Sequence, residues 1–382
     1  MDDKFFTDGQ TAFSYLIDSI DQAKSTIEIQ MFIWRNDELG NLIARALLRA
    51  ADRGVRIVVS VDMMGSIFEY AEESKQSFFH HSIPMKLKFG AWLLNHGYPV
   101  KGKPSGFKQK VSALSKAMSD HDMITILAST LQKNHSKYMV IDGSLLIISG
   151  MNIEYKEWKH DLCGRKYYDY MVAFSSRAKV EQFYQSLQNG GDVNRSLSDS
   201  ENSDIDFIVN VNHEGKSLFN AKTSLLDRLN QAKTSIDIVM AYIGDQDILN
   251  ALTHLSQQGI KIRLYIPEAA NLQNDLNRYY LKQLMRSTEN RIDVYLCKNM
   301  IHGKLILIDN SYLTFGSLNL NRQAMNLLQE TNIGFYPKSF GMLSALKENI
   351  MNIEKDSTPI GSWRSIEYNK TRCRLEKVFE AL

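Results

Sequence analysis

The chain has 382 residues, 44% hydrophobic and 23% charged, with a formal net charge of +2. That length allows two domains with real cores, and the composition is that of an ordinary globular protein. The near-balanced charge supplies no global field that would demand nucleic acid. In chain order, Phe13, Leu16, Ile17, Ile20 and Ala23 recur at helical spacing and predict a helix over 10–24. Residues 26–33 alternate as a strand. Residues 39–53 form a second amphipathic helix, stopped by Gly54, and 55–61 a second strand. This βαβ rhythm predicts a mostly parallel sheet covered by helices.

The rhythm returns. Residues 16–27 line up with 225–236, including Ala23-Lys24-Ser25-Thr26-Ile27 against Ala232-Lys233-Thr234-Ser235-Ile236. Arg53-Gly54-Val55-Arg56-Ile57 lines up with Gln258-Gly259-Ile260-Lys261-Ile262. The chain therefore reads as two copies of one unit. The expected organisation is a first domain over 1–186, a polar, acidic, Gly/Ser-rich linker over 187–206, a second domain over 207–340, and a helical tail over 341–382 that packs on it.

The copies differ in one place. From Gly54 to His135 is 81 residues, against 43 from Gly259 to His302, so the first half holds about 38 extra residues. They belong to an insert over about 67–122. Its stretch 74–119 has no Asp or Glu but carries Lys75, Lys86, Lys88, Lys101, Lys103, Lys108, Lys110 and Lys116, interleaved with Phe78, Phe79, Phe89, Trp92, Tyr98 and Phe107. Such a mixture fits an anionic membrane surface. It also fits a structural cap with inward aromatics, or single-stranded nucleic acid.

Two segments carry the chemistry. His135-Ser136-Lys137-Tyr138-Met139-Val140-Ile141-Asp142 and His302-Gly303-Lys304-Leu305-Ile306-Leu307-Ile308-Asp309 both read H-x-K-x-x-x-x-D. Each continues through a turn and an apolar run to a Gly/Ser pair and an Asn, Asn152 or Asn319, placed 10 residues after the Asp. The residues from Lys to the Asp read as strands, on which side chains two apart share a face, so His and Lys point into one pocket. Asp-Gly and Asp-Asn turn the chain into the next strand. Lys is a point charge suited to phosphate oxygens, and His titrates near neutral pH. Two such sets can attack and protonate a phosphodiester without a metal. Lone surface residues of these types would mean little; their ordered recurrence is what carries weight.

The duplicated motif resembles the signature of the phospholipase D superfamily, and within it the bacterial cardiolipin synthase type. Also matching are Phe32-Ile33-Trp34-Arg35-Asn36-Asp37-Glu38-Leu39-Gly40, residues 46–55, and Asp62-Met63-Met64-Gly65-Ser66. The resemblance implies two α/β domains, each a mixed β-sheet flanked by helices, related by a pseudo-twofold axis with one active site at their interface. It implies His135 as nucleophile and His302 as acid/base, with Lys137, Lys304, Asn152 and Asn319 stabilising the transition state. It also implies acidic partners across the interface, Glu330 for His135 and Asp169 for His302. Asp161 and Glu157 rival Asp169, and a surface carboxylate in a turn is the bland reading of each. Asp142 and Asp309 are expected to brace the site more than to do chemistry. Two departures, Ser149-Gly150 and Asn319-Leu320-Asn321-Arg322-Gln323-Ala324, touch the pocket wall and bear on substrate choice.

The implied reaction is phosphatidyl transfer to a lipid headgroup alcohol, giving cardiolipin, with hydrolysis to phosphatidic acid as the alternative and a nuclease of the superfamily behind it. No cofactor and no metal ligand set is expected. The partners expected are an anionic glycerophospholipid and a membrane surface; nucleic acid is not expected, and the sequence identifies no protein partner. Cys163, Cys297 and Cys373 show neither metal spacing nor a disulfide framework, which suits a reducing compartment. There is no run of about 18 apolar residues and no signal peptide pattern at the start. The expected location is therefore cytoplasmic and peripheral to a membrane.

Overall fold

A computed structural model describes residues 3–71, 77–97, 111–191, 205–337 and 340–381. The chain divides into two compact units. One runs through Tyr167 and includes Met171–Gln182; the other comprises Tyr168–Tyr170 and everything from Phe183 onward. Asp169 thus belongs to the second unit.

The first unit is built on a seven-stranded sheet. Its strands are β1 (Lys4–Phe6), β2 (Thr26–Met31), β3 (Arg56–Val61), β4 (Ile124–Leu127), β5 (Tyr138–Ile141), β6 (Leu145–Ser149) and, after the two-residue β7 (Tyr167–Tyr168), β8 (Met171–Ser175). Their order is β1-β8-β6-β5-β2-β3-β4. Helix Gly9–Gln22 starts at Asp8, whose side chain accepts the Thr11 amide, and helix Glu38–Asp52 at Asp37, which accepts from Gly40. Helix Glu38–Asp52 buries Leu39, Ile43, Ala46, Leu47 and Ala50, the stripe of period 3.6 that its sequence carries. With Trp34, Phe13 and the inner face of the sheet it forms one apolar core. Each fully buried Leu, Ile or Phe there is worth about 1.5–3 kcal/mol of transfer free energy.

The second unit repeats the plan. Its strands are β9 (Asp206–His213), β10 (Lys216–Phe219), β11 (Ser235–Met240), β12 (Lys261–Pro267), β13 (Asp293–Cys297), β14 (Met300–Ile301), β15 (Lys304–Ile308), β16 (Tyr312–Gly316), β17 (Glu330–Phe335) and β18 (Ser357–Ile360). The sheet order is β10-β9-β17-β16-β15-β11-β12-β13-β18. Stripped of its two edge strands, this is the first sheet over again. The register repeats too. Ile27 faces Ile141 and Ile29 faces Met139 in one unit; Ile236 faces Ile308 and Ile238 faces Ile306 in the other.

The sheets are mixed, and the expectation of mostly parallel pairing is corrected. In the two large sheets only β2-β3-β4 and β11-β12-β13 run parallel; the other neighbours are antiparallel. The reason lies in the turns. Asp142 and Gly143 have φ of 53° and 60°, and Asp309 and Asn310 have 52° and 54°. Ser144 and Ser311 close these turns onto Ile141 and Ile308. Paired left-handed residues of this kind suit the twist of a tight hairpin, which returns the chain antiparallel.

One further expectation changes. The tail is not wholly helical, because β18 lies between helices Phe340–Lys355 and Lys370–Ala381 and extends the sheet beside β13. Part of the insert has the inward aromatics of the cap alternative: Phe78 is fully buried and packs with Trp34 and Phe79. His80 and Glu69, both buried, pair at 3.2 Å, and Glu69 also accepts the Trp34 amide. Lys75, Lys101, Lys103, Lys108 and Lys110, with Tyr98 and Phe107, lie outside the described residues, as do positions 192–204 of the expected linker.

Candidate active site

The two motif histidines stand just before their strands rather than in them, because β5 begins at Tyr138 and β15 at Lys304. Each entry segment is instead held by hydrogen bonds. In the first unit buried Asp62, at the end of β3, accepts the amides of Gln132 and Asn134, and Asn134 Oδ1 accepts the Ser136 amide. In the second unit the Tyr168 carbonyl accepts the amides of His302 (3.0 Å) and Gly303 (2.7 Å). Gly303 is required there, since a Cβ would sit 2.6 Å from the Tyr170 ring.

Each lysine is buried and folds back on its own histidine. Lys137 Nζ donates to the His135 carbonyl at 2.8 Å, and Lys304 Nζ donates to the His302 carbonyl. Both lysines are 1% exposed. Each ammonium thus lies at the histidine's end of its motif. His135 packs edge-on against Phe32, ring centroids 4.7 Å apart. Lys137 Nζ lies 5.6 Å from the same ring centroid.

His302 is held by a carboxylate. Its Nδ1 donates to Asp169 Oδ2 at 2.8 Å, and Lys304 Nζ stands 3.8 Å from that oxygen. The other carboxylate oxygen of Asp169 accepts the Tyr170 amide at 2.8 Å. Asp169 is 1% exposed and Glu330 fully buried, so neither is a surface carboxylate in a turn. Asp161 is engaged elsewhere, holding Arg165 and the amides of Cys163 and Arg165. Glu330 opens β17, and the next residue, Thr331, bonds Ser317 in both directions. Asp169–His302 fixes the imidazole tautomer with the proton on Nδ1. Asp169→Asn is expected to lower kcat by up to about 10⁴-fold, the scale for losing a carboxylate that sets the tautomer of a working histidine. Steady-state kinetics check this; a kcat near the parent's would mean that Asp169 does not orient a working His302.

Asn152 and Asn319 follow the strands that pair with the motif strands, β6 and β16. Both are buried, and in both the Oδ1 atom has no hydrogen-bond partner. Asn152 is held by its other end: Nδ2 donates to Glu154 Oε1 at 3.2 Å, and Glu154 is bound in turn by Arg35 and Lys156. At the matching position Asn321 caps helix Arg322–Asn326 through the Ala324 amide. A cavity of ≈ 410 Å³ opens beside Arg35, Asp37, Glu154, Lys156 and His160. Burial pushes the Asp37 carboxyl up to about 6, against the pull of the Gly40 and Tyr155 amides. Ser149 Oγ accepts the Met151 amide, and Gly316, at φ 155°, would place a Cβ 2.2 Å from the Thr331 carbonyl.

The motif aspartates lie at the far ends of the strands, away from the histidines. Asp142 accepts the amides of Lys24, Ser25 and Thr26 and the Ser25 hydroxyl; Asp309 accepts those of Lys233, Thr234 and Ser235 and the Thr234 hydroxyl. Each carboxylate pins its hairpin to the start of β2 or β11. Burial pushes both carboxyls up, yet the donated hydrogen bonds together outweigh it and hold both below the ordinary value. A depressed folded-state value gives stability that is present above the unfolded carboxylate range and lost as pH falls through the folded value. Asp309→Ala is expected to cost about 2 kcal/mol by denaturant melts at neutral pH, with the difference shrinking as pH falls below about 4. An equal cost at both pH values would remove the carboxylate from this role.

The fold and the repeated site define a duplicated phospholipase D-like α/β protein. The pattern of the family described as "Cardiolipin synthase, PLD-like domain" matches residues 16–190 and 225–347, and the chain belongs to that family. It is thus a phospholipase D-superfamily enzyme. Cardiolipin synthase 1 of Bacillus cereus is 22% identical over 99% of this chain and 71% of that protein. Cardiolipin synthase of Listeria welshimeri is 24% identical over 88% of this chain and 65% of its own length. Among solved structures, phosphatidylserine synthase of Haemophilus influenzae shares the fold with a TM-score of 0.67 at 14% identity, over 99% of this chain and 92% of that one. Polyphosphate kinase of Porphyromonas gingivalis has a TM-score of 0.55, also at 14% identity, over 99% of this chain and 53% of that one.

Reading the motifs alone misses Asp62, Tyr168, Ser25 and Thr234. Ser25 and Thr234 had a signal, since both sit in the aligned Ala-Lys repeat. Tyr168 had none, because its part is played by a backbone carbonyl.

Proposed function

We propose that the chain is a phosphatidyltransferase of the cardiolipin synthase kind, working through a phosphohistidine. The observation that carries this reading is the repeated device of a buried lysine turned onto its own motif histidine, with one of those histidines held by Asp169. His135 attacks phosphorus as the bond to the leaving alcohol breaks, and His302 Nε2 gives that alcohol its proton. The incoming alcohol then loses its proton to His302 as its oxygen bonds phosphorus and the phosphorus–nitrogen bond breaks. Lys137 and Lys304 are the groups proposed around the developing charge, while the Oδ1 atoms of Asn152 and Asn319 have no hydrogen-bond partner. Asn Oδ1 accepts hydrogen bonds, so the asparagines' part is to orient a hydroxyl or an ammonium rather than to bind anionic oxygen. Glu330 is proposed to support His135.

The donor proposed is an anionic glycerophospholipid, reached by an enzyme peripheral to the membrane on its cytoplasmic side. Among the described residues no helix is long and apolar enough to cross a membrane. Thin-layer analysis of products from phosphatidylglycerol tests the reaction. Cardiolipin with released glycerol is expected; phosphatidic acid alone would make the chain a hydrolase, and no lipid product at all would end the proposal. Because lysine supplies the positive charge, turnover is expected to survive EDTA. Complete loss restored by a divalent ion would contradict the lysine mechanism.

A further inference from the structure

Helix Met85–Gly97 in the insert has two unlike faces. Leu87, Ala91 and Leu94 recur at one turn of spacing, and Ala91 and Leu94 are buried. Met85, Phe89 and Trp92 lie on the opposite side and are 81%, 63% and 45% exposed. At 3.6 residues per turn, Met85, Phe89, Trp92 and His96 fall within roughly 60° of the circumference. They form a continuous surface: the Phe89 and Trp92 rings stack with centroids 5.8 Å apart, and Trp92 meets His96 at 4.4 Å. Exposed Lys86 and Lys88 flank the stripe on either side. No Asp or Glu occurs anywhere in residues 74–119.

Single exposed apolar residues are ordinary, but a row of three on one helix face, two of them stacked aromatics, is not. We propose that this helix lies flat on an anionic phospholipid surface, with Met85, Phe89 and Trp92 entering the headgroup boundary and Lys86 and Lys88 meeting lipid phosphates. Trp and Phe suit that boundary, and lysines in a segment without Asp or Glu give the charge complementarity. The occupant is a lipid surface rather than a second copy of the chain, because two copies meeting at this face would bring like charges together with no acid in the segment to balance them. The assignment deepens, and rests on, the phospholipid substrate proposed above.

The test uses the full chain and vesicles of equal phosphatidylglycerol and phosphatidylcholine. The parent protein is expected to cosediment with them, more weakly as salt rises. F89S/W92S should lower vesicle affinity by more than about tenfold. K86Q/K88Q should weaken binding and flatten its salt dependence. Hydrolysis of soluble bis(4-nitrophenyl) phosphate and the thermal midpoint should be unchanged in both variants. F89S/W92S binding vesicles like the parent overturns the proposal, as does a parent that binds none. A parent dimer that F89S/W92S splits, with vesicle affinity unaltered, overturns it in favour of a second copy. If neither protein cleaves the soluble diester yet vesicle binding falls as expected, the lipid-facing helix stands and the phosphohistidine reading fails.

Discussion

His135→Asn is expected to abolish turnover, and His302→Asn to slow it by about 10²–10⁴-fold, the usual contribution of a positioned general acid. The motif makes the two residues look interchangeable, but their proposed tasks differ. A nucleophile has no substitute, because without it there is no covalent intermediate to resolve. An acid can be bypassed when the leaving group needs little protonation. The His302→Asn deficit should therefore shrink sharply for a nitrophenyl ester, whereas that of His135→Asn should not. The tasks also demand opposite protonation states, His135 neutral and His302 protonated, so the parent rate should be bell-shaped in pH. Equal deficits on alkyl and nitrophenyl substrates in both variants would contradict this division of labour.

Lys304→Met is expected to lower kcat by about 10²–10³-fold with KM little changed, the scale for loss of one donor aimed at developing charge. Lys304 is 1% exposed, and its ammonium is held by the His302 carbonyl and lies 3.8 Å from Asp169. A charge so placed is worth more than one in water and needs no reorganisation during the reaction. Lys304→Arg should not rescue, because the planar guanidinium is larger and cannot take up the ammonium's compact position at a closed strand start. The check is steady-state kinetics with the melting midpoint measured alongside. A stable Lys304→Met protein with near-parent kcat would remove the lysine from the transition state.

Much of this organisation is legible before any coordinates, because local rules and tertiary needs agree. The apolar spacing of residues 39–53 is a helix stripe in sequence and a buried face in the fold. The Asp-Gly and Asp-Asn pairs after each motif read as turns and are turns, with left-handed backbone at both positions. What is not legible depends on partners far away in the chain. The expectation of parallel pairing came from the helix-linked strands alone; the motif's own turns, read as hairpins, return the chain antiparallel. Strand β18 was missed because Ser357-Thr358-Pro359-Ile360 is short, contains a proline and gains its ladder only from β13. Asp62 looked like part of a family run, and its hold on the His135 approach needs Gln132 and Asn134, some 70 positions on. The lysine-rich insert could not be divided from composition, since Phe78 and Phe89 are alike in sequence while one is fully buried and the other 63% exposed.

The most direct measurement of the central claim is to trap the intermediate. The His302→Asn protein, given a nitrophenyl phosphodiester and quenched, should carry an acid-labile, base-stable phosphoryl adduct that mass spectrometry places on His135. In the His135→Asn protein none should form. An adduct on His302 in the latter would reverse the two roles and leave the two-histidine mechanism standing. If neither variant traps an adduct and both retain ordinary turnover, the H-x-K-x-x-x-x-D motifs are not the active site.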